Sequence, residues 1–235
     1  MAFQEWRFAL AMVCITGSTL CAQAPAPAKP KPPPDPSLAL IQDQPGLPRV
    51  LLIGDSISMG YTLPVRELLA GQANVHRIPT NGAHTERGVA DLGKWLGEGR
   101  WDVIHFNWGL HDLKRNEDDK HQIPITEYEA NLRALVAQLQ ATGATLIWCA
   151  TTPVPAGDLQ PPRRDADVIA YNAAAARIMA ENSIGIDDLY AFALPRLHEI
   201  QQPVNVHFTA AGYRALAGEV AQVIATALDA RAKKP

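Results

Sequence analysis

The sequence predicts an α/β protein, a three-layer αβα sandwich around a central parallel sheet of about five strands. Three observations carry this expectation. Short apolar runs of β type alternate with stretches of helical period, and such alternation implies parallel pairing through crossover connections. The runs are apolar at consecutive positions, as in Val50-Leu51-Leu52-Ile53, which fits strands covered on both faces. Polar residues with chemical potential follow the runs, at the strand ends where open parallel sheets place their ligand crevice.

In order, Arg49 to Ile53 predicts the first strand, ending at Gly54, and a short helix includes Val65 to Ala70. Asn74 to Ile78 predicts the second strand, Glu86 to Leu96 a helix and Asp102 to Phe106 the third strand. Between Thr126 and Thr142, Tyr128, Leu132, Leu135, Val136 and Leu139 fall on one helix face. Thr145 to Ala150 predicts strand four, Asp165 to Asn182 a helix, and Ile184 to Ile186 a short strand. A last helix runs from Thr209, an N-cap type, to Leu228.

The remaining composition bounds the role. The 235 residues suit one main domain, and 47% hydrophobic with 19% charged residues is ordinary for a globular chain. A formal net charge of -3 argues against nucleic acid as partner, because phosphate-backbone binders carry a basic surplus. Residues 1–24 read as a signal peptide. Arg7 precedes an apolar run from Phe8 to Leu20, and Ala22-Gln23-Ala24 has the form of a cleavage site. That run is shorter than the about 20 residues of a permanent span, so export to the periplasm or medium is expected, with no stable membrane span after cleavage. Cys21 invites lipidation, although Leu20 is bulkier than a lipobox normally holds. Residues 25–45 read as a Pro/Ala-rich linker, and the domain is expected over 46–230. Cys149 alone lies securely in that domain, in an apolar run, as a small buried hydrophobe.

Two strand ends and the approach to the last helix hold residues that could carry chemistry. Strand one ends in Gly54-Asp55-Ser56, where glycine lets the chain turn and presents a serine, a position that equally suits a helix cap. Strand three ends in Asn107-Trp108-Gly109-Leu110-His111-Asp112, and His207 lies just ahead of the last helix. Arg163 and Arg164, in the loop after strand four, could meet an anionic substrate or be solvated surface.

Together these residues resemble the SGNH/GDSL hydrolase superfamily from about Arg49 to Leu228. Its G-D-S block is matched by Gly54-Asp55-Ser56, its second-block glycine by Asn81-Gly82, its G-x-N-D block by Gly109-Leu110-His111-Asp112, and the histidine of its D-x-x-H by His207. The resemblance implies the family's flavodoxin-like fold and a serine esterase, with Ser56 as nucleophile and His207 as base. It implies an oxyanion hole from the Ser56 and Gly82 N–H groups and His111, with Asn107 as a further candidate donor. His111 replaces the family's asparagine, and Val204 replaces the aspartate three residues before the histidine. A Ser–His dyad oriented by the Val204 carbonyl is the expectation; Asn205, Asp158 or Asp165 could serve instead.

No metal and no cofactor is required by this chemistry. The substrate class is a small-molecule or carbohydrate ester with a short acyl group, since no apolar lid for long chains stands out; a lysophospholipase or thioesterase is an alternative. Two other classes remain open. One is a binding protein that keeps the scaffold without turnover. The other is a metal-dependent hydrolase using His84, His105, His111, Asp55 and Asp112, which lack a tight ligand spacing. An α/β-hydrolase elbow is absent, because Ser58 stands at the second glycine of G-x-S-x-G.

Overall fold

A computed structural model describes Met1 and residues 35–233. The expected signal peptide and part of the expected linker lie outside the described residues. Of the expected linker, residues 35–45 are described, and they fall within the same compact unit as the domain. Asp35 caps a 3-10 turn at Pro36–Leu38, accepting from the Ser37 N–H at 2.8 Å, and Ser37 is buried. The Asn74 side chain then clamps the chain by accepting from the Gln44 N–H (2.8 Å) and donating to the Gln44 carbonyl (3.1 Å). Residues 35–45 therefore pack on the domain. Sequence patterning did not register this because single polar clamps have no period.

The sheet has five parallel strands in the order β2-β1-β3-β4-β5. They are β1 (Arg49–Ile53), β2 (Asn74–Arg77), β3 (Val103–Phe106), β4 (Thr145–Cys149) and β5 (Gly185–Asp187). Val50, Leu51, Leu52 and Ile53 are each at most 1% exposed, so both faces of β1 are covered. Burying one such side chain contributes about 1.5–3 kcal/mol. The long helices are α1 (Ser56–Leu68), α2 (Thr85–Leu96), α3 (Ile125–Gln140), α4 (Asp165–Glu181) and α7 (Ala210–Ala232). α1 packs with α7, while α2 packs with α3 and α3 with α4, giving the two outer layers. No described helix is long and apolar enough to cross a membrane.

Strand and helix positions agree with the expected ones within a few residues, except in two places. α1 runs from Ser56 to Leu68, so it is longer than the short helix expected around Val65 to Ala70. Gly60 lies inside this helix, where the ring of Tyr213 packs against it at 2.1 Å from where a Cβ would stand. The second difference is the pair of short helices α5 (Leu189–Ala193) and α6 (Leu197–Ile200). Each is too short to show a helical period in sequence.

Strand order reverses between β1 and β3, and the crevice of an open sheet lies at that switch point. The loop before α7 is pinned from both ends. Gln201 and Phe208 form an antiparallel bridge, and the Gln202 N–H donates to the His207 carbonyl at 2.9 Å. Thr209 caps α7 by accepting from the Gly212 N–H at 3.0 Å, and a Cβ on Gly212 would lie 2.1 Å from the Ile200 carbonyl oxygen. Glycine there allows the close approach that fixes this loop.

Candidate active site

Ser56 is the first residue of α1, with Asp55 as N-cap accepting from the Ile57 N–H at 2.9 Å. An N–H in the first turn has no intrahelical acceptor, and the helix dipole places positive potential there. The turn is tight: a Cβ on Gly54 would lie 2.8 Å from Ser58 Oγ. Behind it sits Arg77, only 5% exposed. Its guanidinium donates to the carbonyls of Gly54 (2.9 Å) and Asp55 (3.1 Å) and to Ser58 Oγ. Burial pulls its pKa down to about 10, so it is still charged at neutral pH. Arg77 thus braces the serine turn from below. Sequence reading missed it, because an arginine at the end of the mixed strand Asn74–Arg77 gives no sign of burial.

His207 meets Ser56 across 151 positions of sequence. Its Nε2 lies 2.9 Å from Ser56 Oγ. Its other nitrogen, Nδ1, lies 2.8 Å from Asn205 Oδ1, and the same oxygen accepts from the His207 backbone N–H at 3.0 Å. An asparagine bonding the N–H two residues on is an Asx turn. A backbone N–H can only donate, so the atom facing it is the amide oxygen. Nδ1 therefore carries the ring proton, and Nε2 presents a lone pair to the serine hydroxyl.

Among the orienting groups the sequence offered, Asn205 faces the ring in place of the favoured Val204 carbonyl. The Val204 carbonyl does not hold the ring; Val204 is exposed, with a left-handed φ of 48°. Asp165 is engaged elsewhere, accepting from the Val154 N–H (2.9 Å) and the Tyr190 hydroxyl (2.7 Å). Asp158 is exposed beside Gln160.

The expected oxyanion donors divide. Gly82 gives its N–H to the Gly54 carbonyl at 2.9 Å, and a Cβ there would lie 2.9 Å from that same oxygen. Its glycine lets two backbones touch, and its N–H is already used. Asn107 is corrected likewise: its amide donates to the Cys149 carbonyl (2.7 Å) and to Thr151 Oγ1 (3.1 Å). Both hydrogens are committed to holding β3 against the loop after β4. Asn81, by contrast, lines the cleft with Ser56, His111 and His207. Its Oδ1 accepts from the Ala83 N–H at 2.8 Å, which leaves the amide hydrogens toward the cleft.

His111 lines the same cleft, of about 400 Å3. Lys114 Nζ lies 2.9 Å from His111 Nδ1. An ammonium only donates, so Nδ1 is unprotonated and the neutral ring carries its hydrogen on Nε2. Burial, assisted by the charges of Lys114 and Arg163, lowers the His111 pKa to about 4. The ring is thus a neutral donor throughout the neutral range. The linked stability has a definite sign: it is fully present above about pH 6.5 and is lost as pH falls toward 4. The His111→Gln variant should therefore lose less stability than the parent between pH 7 and pH 4, by at most about 3 kcal/mol. Thermal melts of both proteins across that range check this, and parallel curves would refute it.

The proposed metal ligands do not converge. His105 is fully buried and bonds Asp187 on β5 through Nε2 at 2.9 Å. Asp112 is fully buried too, accepting from the Thr85 N–H (2.8 Å) and hydroxyl (2.6 Å), which ties the start of α2 to the loop after β3. Among the described residues, the one set of three such ligand atoms within 4.8 Å is His105, Cys149 and Asp187. It lies in the core, away from the cleft residues. Cys149 is free and buried, and burial raises its pKa well above the usual thiol value.

A doubly covered parallel sheet with a serine and a histidine meeting at its switch point defines a serine ester hydrolase. Residues 52–215 match the GDSL-like lipase/acylhydrolase family, and the chain belongs to that family. Among curated proteins none matches the chain. Solved structures show the same fold. A lipase/acylhydrolase from Enterococcus faecalis is 21% identical with a TM-score of 0.66, covering 77% of this chain and 96% of its own. The acetyl xylan esterase AlAXEase is 17% identical with a TM-score of 0.65, covering 75% and 99%. An acetylxylan esterase from Geobacillus stearothermophilus is 21% identical with a TM-score of 0.61, covering 75% and 94%.

Proposed function

We propose that this esterase is exported and removes short acyl groups from a carbohydrate or small-molecule ester through an acyl-enzyme on Ser56. The observation that carries the proposal is the 2.9 Å approach of His207 Nε2 to Ser56 Oγ, with Nδ1 held by Asn205. His207 takes the hydroxyl proton as Oγ forms a bond to the ester carbonyl carbon. The carbonyl π electrons move onto oxygen, giving a tetrahedral oxyanion. The Ser56 N–H, the His111 Nε2–H and the Asn81 side-chain amide, which line the cleft, serve as its donors in this reading, each such donor supplying about 3 to 4 kcal/mol in comparable sites.

As the C–O bond to the alcohol breaks, His207 returns the proton to the leaving oxygen. Water then attacks the acyl carbon, giving its proton to His207, and the acid departs as Ser56 recovers its hydrogen. All donors and the base come from the chain itself.

A short acyl group suits a cleft of about 400 Å3, at the small end of ligand sites, which run from about 300 to 1,000 Å3. Two of the similar structures are acetyl xylan esterases, and acetylated polysaccharide is the first substrate to try. Export rests on the targeting pattern of residues 1–24. A fluorophosphonate probe tests the mechanism: mass spectrometry should find the adduct on Ser56 of the native protein and none on Ser56→Ala. An unlabelled native protein would instead favour a scaffold that binds without turnover.

A further inference from the structure

One arginine lining the cleft carries a charge with which no carboxylate forms a direct ion pair. Arg163 lines the cleft beside His111. Its Nε donates to the Leu110 carbonyl at 2.8 Å and its Nη1 to the Pro161 carbonyl at 3.3 Å. Both partners are neutral. Its neighbour Arg164 is different, pairing with Asp119 at 2.8 Å. Most other arginines of the domain also reach an acid, among them Arg115 with Asp167 at 2.7 Å. Lys114, next to His111, likewise bonds the imidazole and has no acid. Among the described residues, neither Arg163 nor Lys114 has a carboxylate within 4.0 Å.

Burial and mutual repulsion both act on this pair, lowering the pKa of Lys114, while burial lowers that of Arg163. Asp55, which is 3% exposed and caps α1, partly offsets both charges from a distance, and Asp112 does so for Lys114. Holding a partly buried guanidinium in the cleft wall, with the Lys114 ammonium behind His111, costs free energy unless an anion arrives. A guanidinium anchored at Nε, with hydrogens on Nη2 unengaged, is pre-oriented to donate to a carboxylate.

Resting on the esterase reading of the same cleft, we propose that the substrate carries a carboxylate near the scissile ester, and that Arg163 binds it with Lys114 reinforcing the local potential. The carboxylate can sit on either side of the ester, as in an acetylated uronic acid or in a dicarboxylic half-ester. Its chemistry toward Arg163 is the same in both.

Two matched pairs separate the sources. One is an acetylated methyl glucuronoside against the acetylated methyl glucoside. The other is mono-4-nitrophenyl succinate against 4-nitrophenyl butyrate. In at least one pair the charged member should have a kcat/KM about tenfold or more above the neutral one at low salt. That ratio should shrink as sodium chloride rises from about 20 to about 300 mM. Arg163→Gln should collapse the ratio and Arg163→Lys should retain part of it, a pattern that loss of a structural brace at Leu110 alone would not produce.

Equal turnover of charged and neutral esters, or a ratio surviving in Arg163→Gln, would overturn the subsite and leave the esterase intact. If Arg163→Gln does not fold, the salt dependence of the native ratio and the Arg163→Lys variant decide. Failure to hydrolyse any of the four, with Ser56 unlabelled by fluorophosphonate, would overturn the esterase reading and the subsite with it.

Discussion

Replacing Ser56 with Ala should lower kcat for p-nitrophenyl acetate by about ten-thousand-fold or more, and replacing His207 with Ala should do nearly the same. The two residues act on one proton. Without the hydroxyl the base has nothing to activate, and without the base the hydroxyl is a weak nucleophile at neutral pH. The double variant should therefore be little worse than either single one, which is the signature of a coupled pair. Residual turnover over water would come from the oxyanion donors and from binding. Steady-state kinetics of the three variants against the parent, with melting temperatures to verify folding, check the expectation. Multiplicative losses in the double variant would mean that the 2.9 Å contact is not the catalytic one.

Asn205 should have the next largest effect, and its sign depends on the replacement. The amide oxygen accepts from both the backbone N–H and Nδ1 of His207, so it fixes ring orientation and tautomer without a full negative charge. Asn205→Ala should reduce kcat/KM by on the order of 100- to 10,000-fold, because the ring is then free to rotate or to carry its proton on the wrong nitrogen. Asn205→Asp keeps the acceptor in place and adds a charge that stabilises the imidazolium of the transition state. It should raise kcat/KM about tenfold above the parent. A wild-type rate for Asn205→Ala would show that another group orients the ring. A fall for Asn205→Asp would show that the amide's neutrality is itself needed.

The resemblance to the family's blocks brought Ser56 and His207 forward, and the structure sets them in hydrogen-bond contact. The details between them were less legible. Val204 stands at the usual acid position, and the residue string offered its carbonyl, Asn205, Asp158 and Asp165 without choosing among them. That outcome depends on an Asx turn, which needs backbone angles. Gly82 and Asn107 looked available because sequence shows which groups can donate, not which are already bonded. Asn81 was visible only as the companion of a glycine, yet its side chain is the one that faces the cleft.

What the sequence determined by itself was the order and type of the main elements, the doubly covered parallel sheet and the residues at its carboxyl edge. These follow from hydrophobic period and local turn chemistry, which act over a few residues. Tertiary structure alone decided where α1 starts, how the chain before β1 is clamped, which amides remain free and which cations stay unpaired. Those depend on groups brought together across the fold, such as Tyr213 against Gly60 or Arg77 beneath Gly54. Contacts between distant residues leave no periodic trace along the chain, and only packing reveals them.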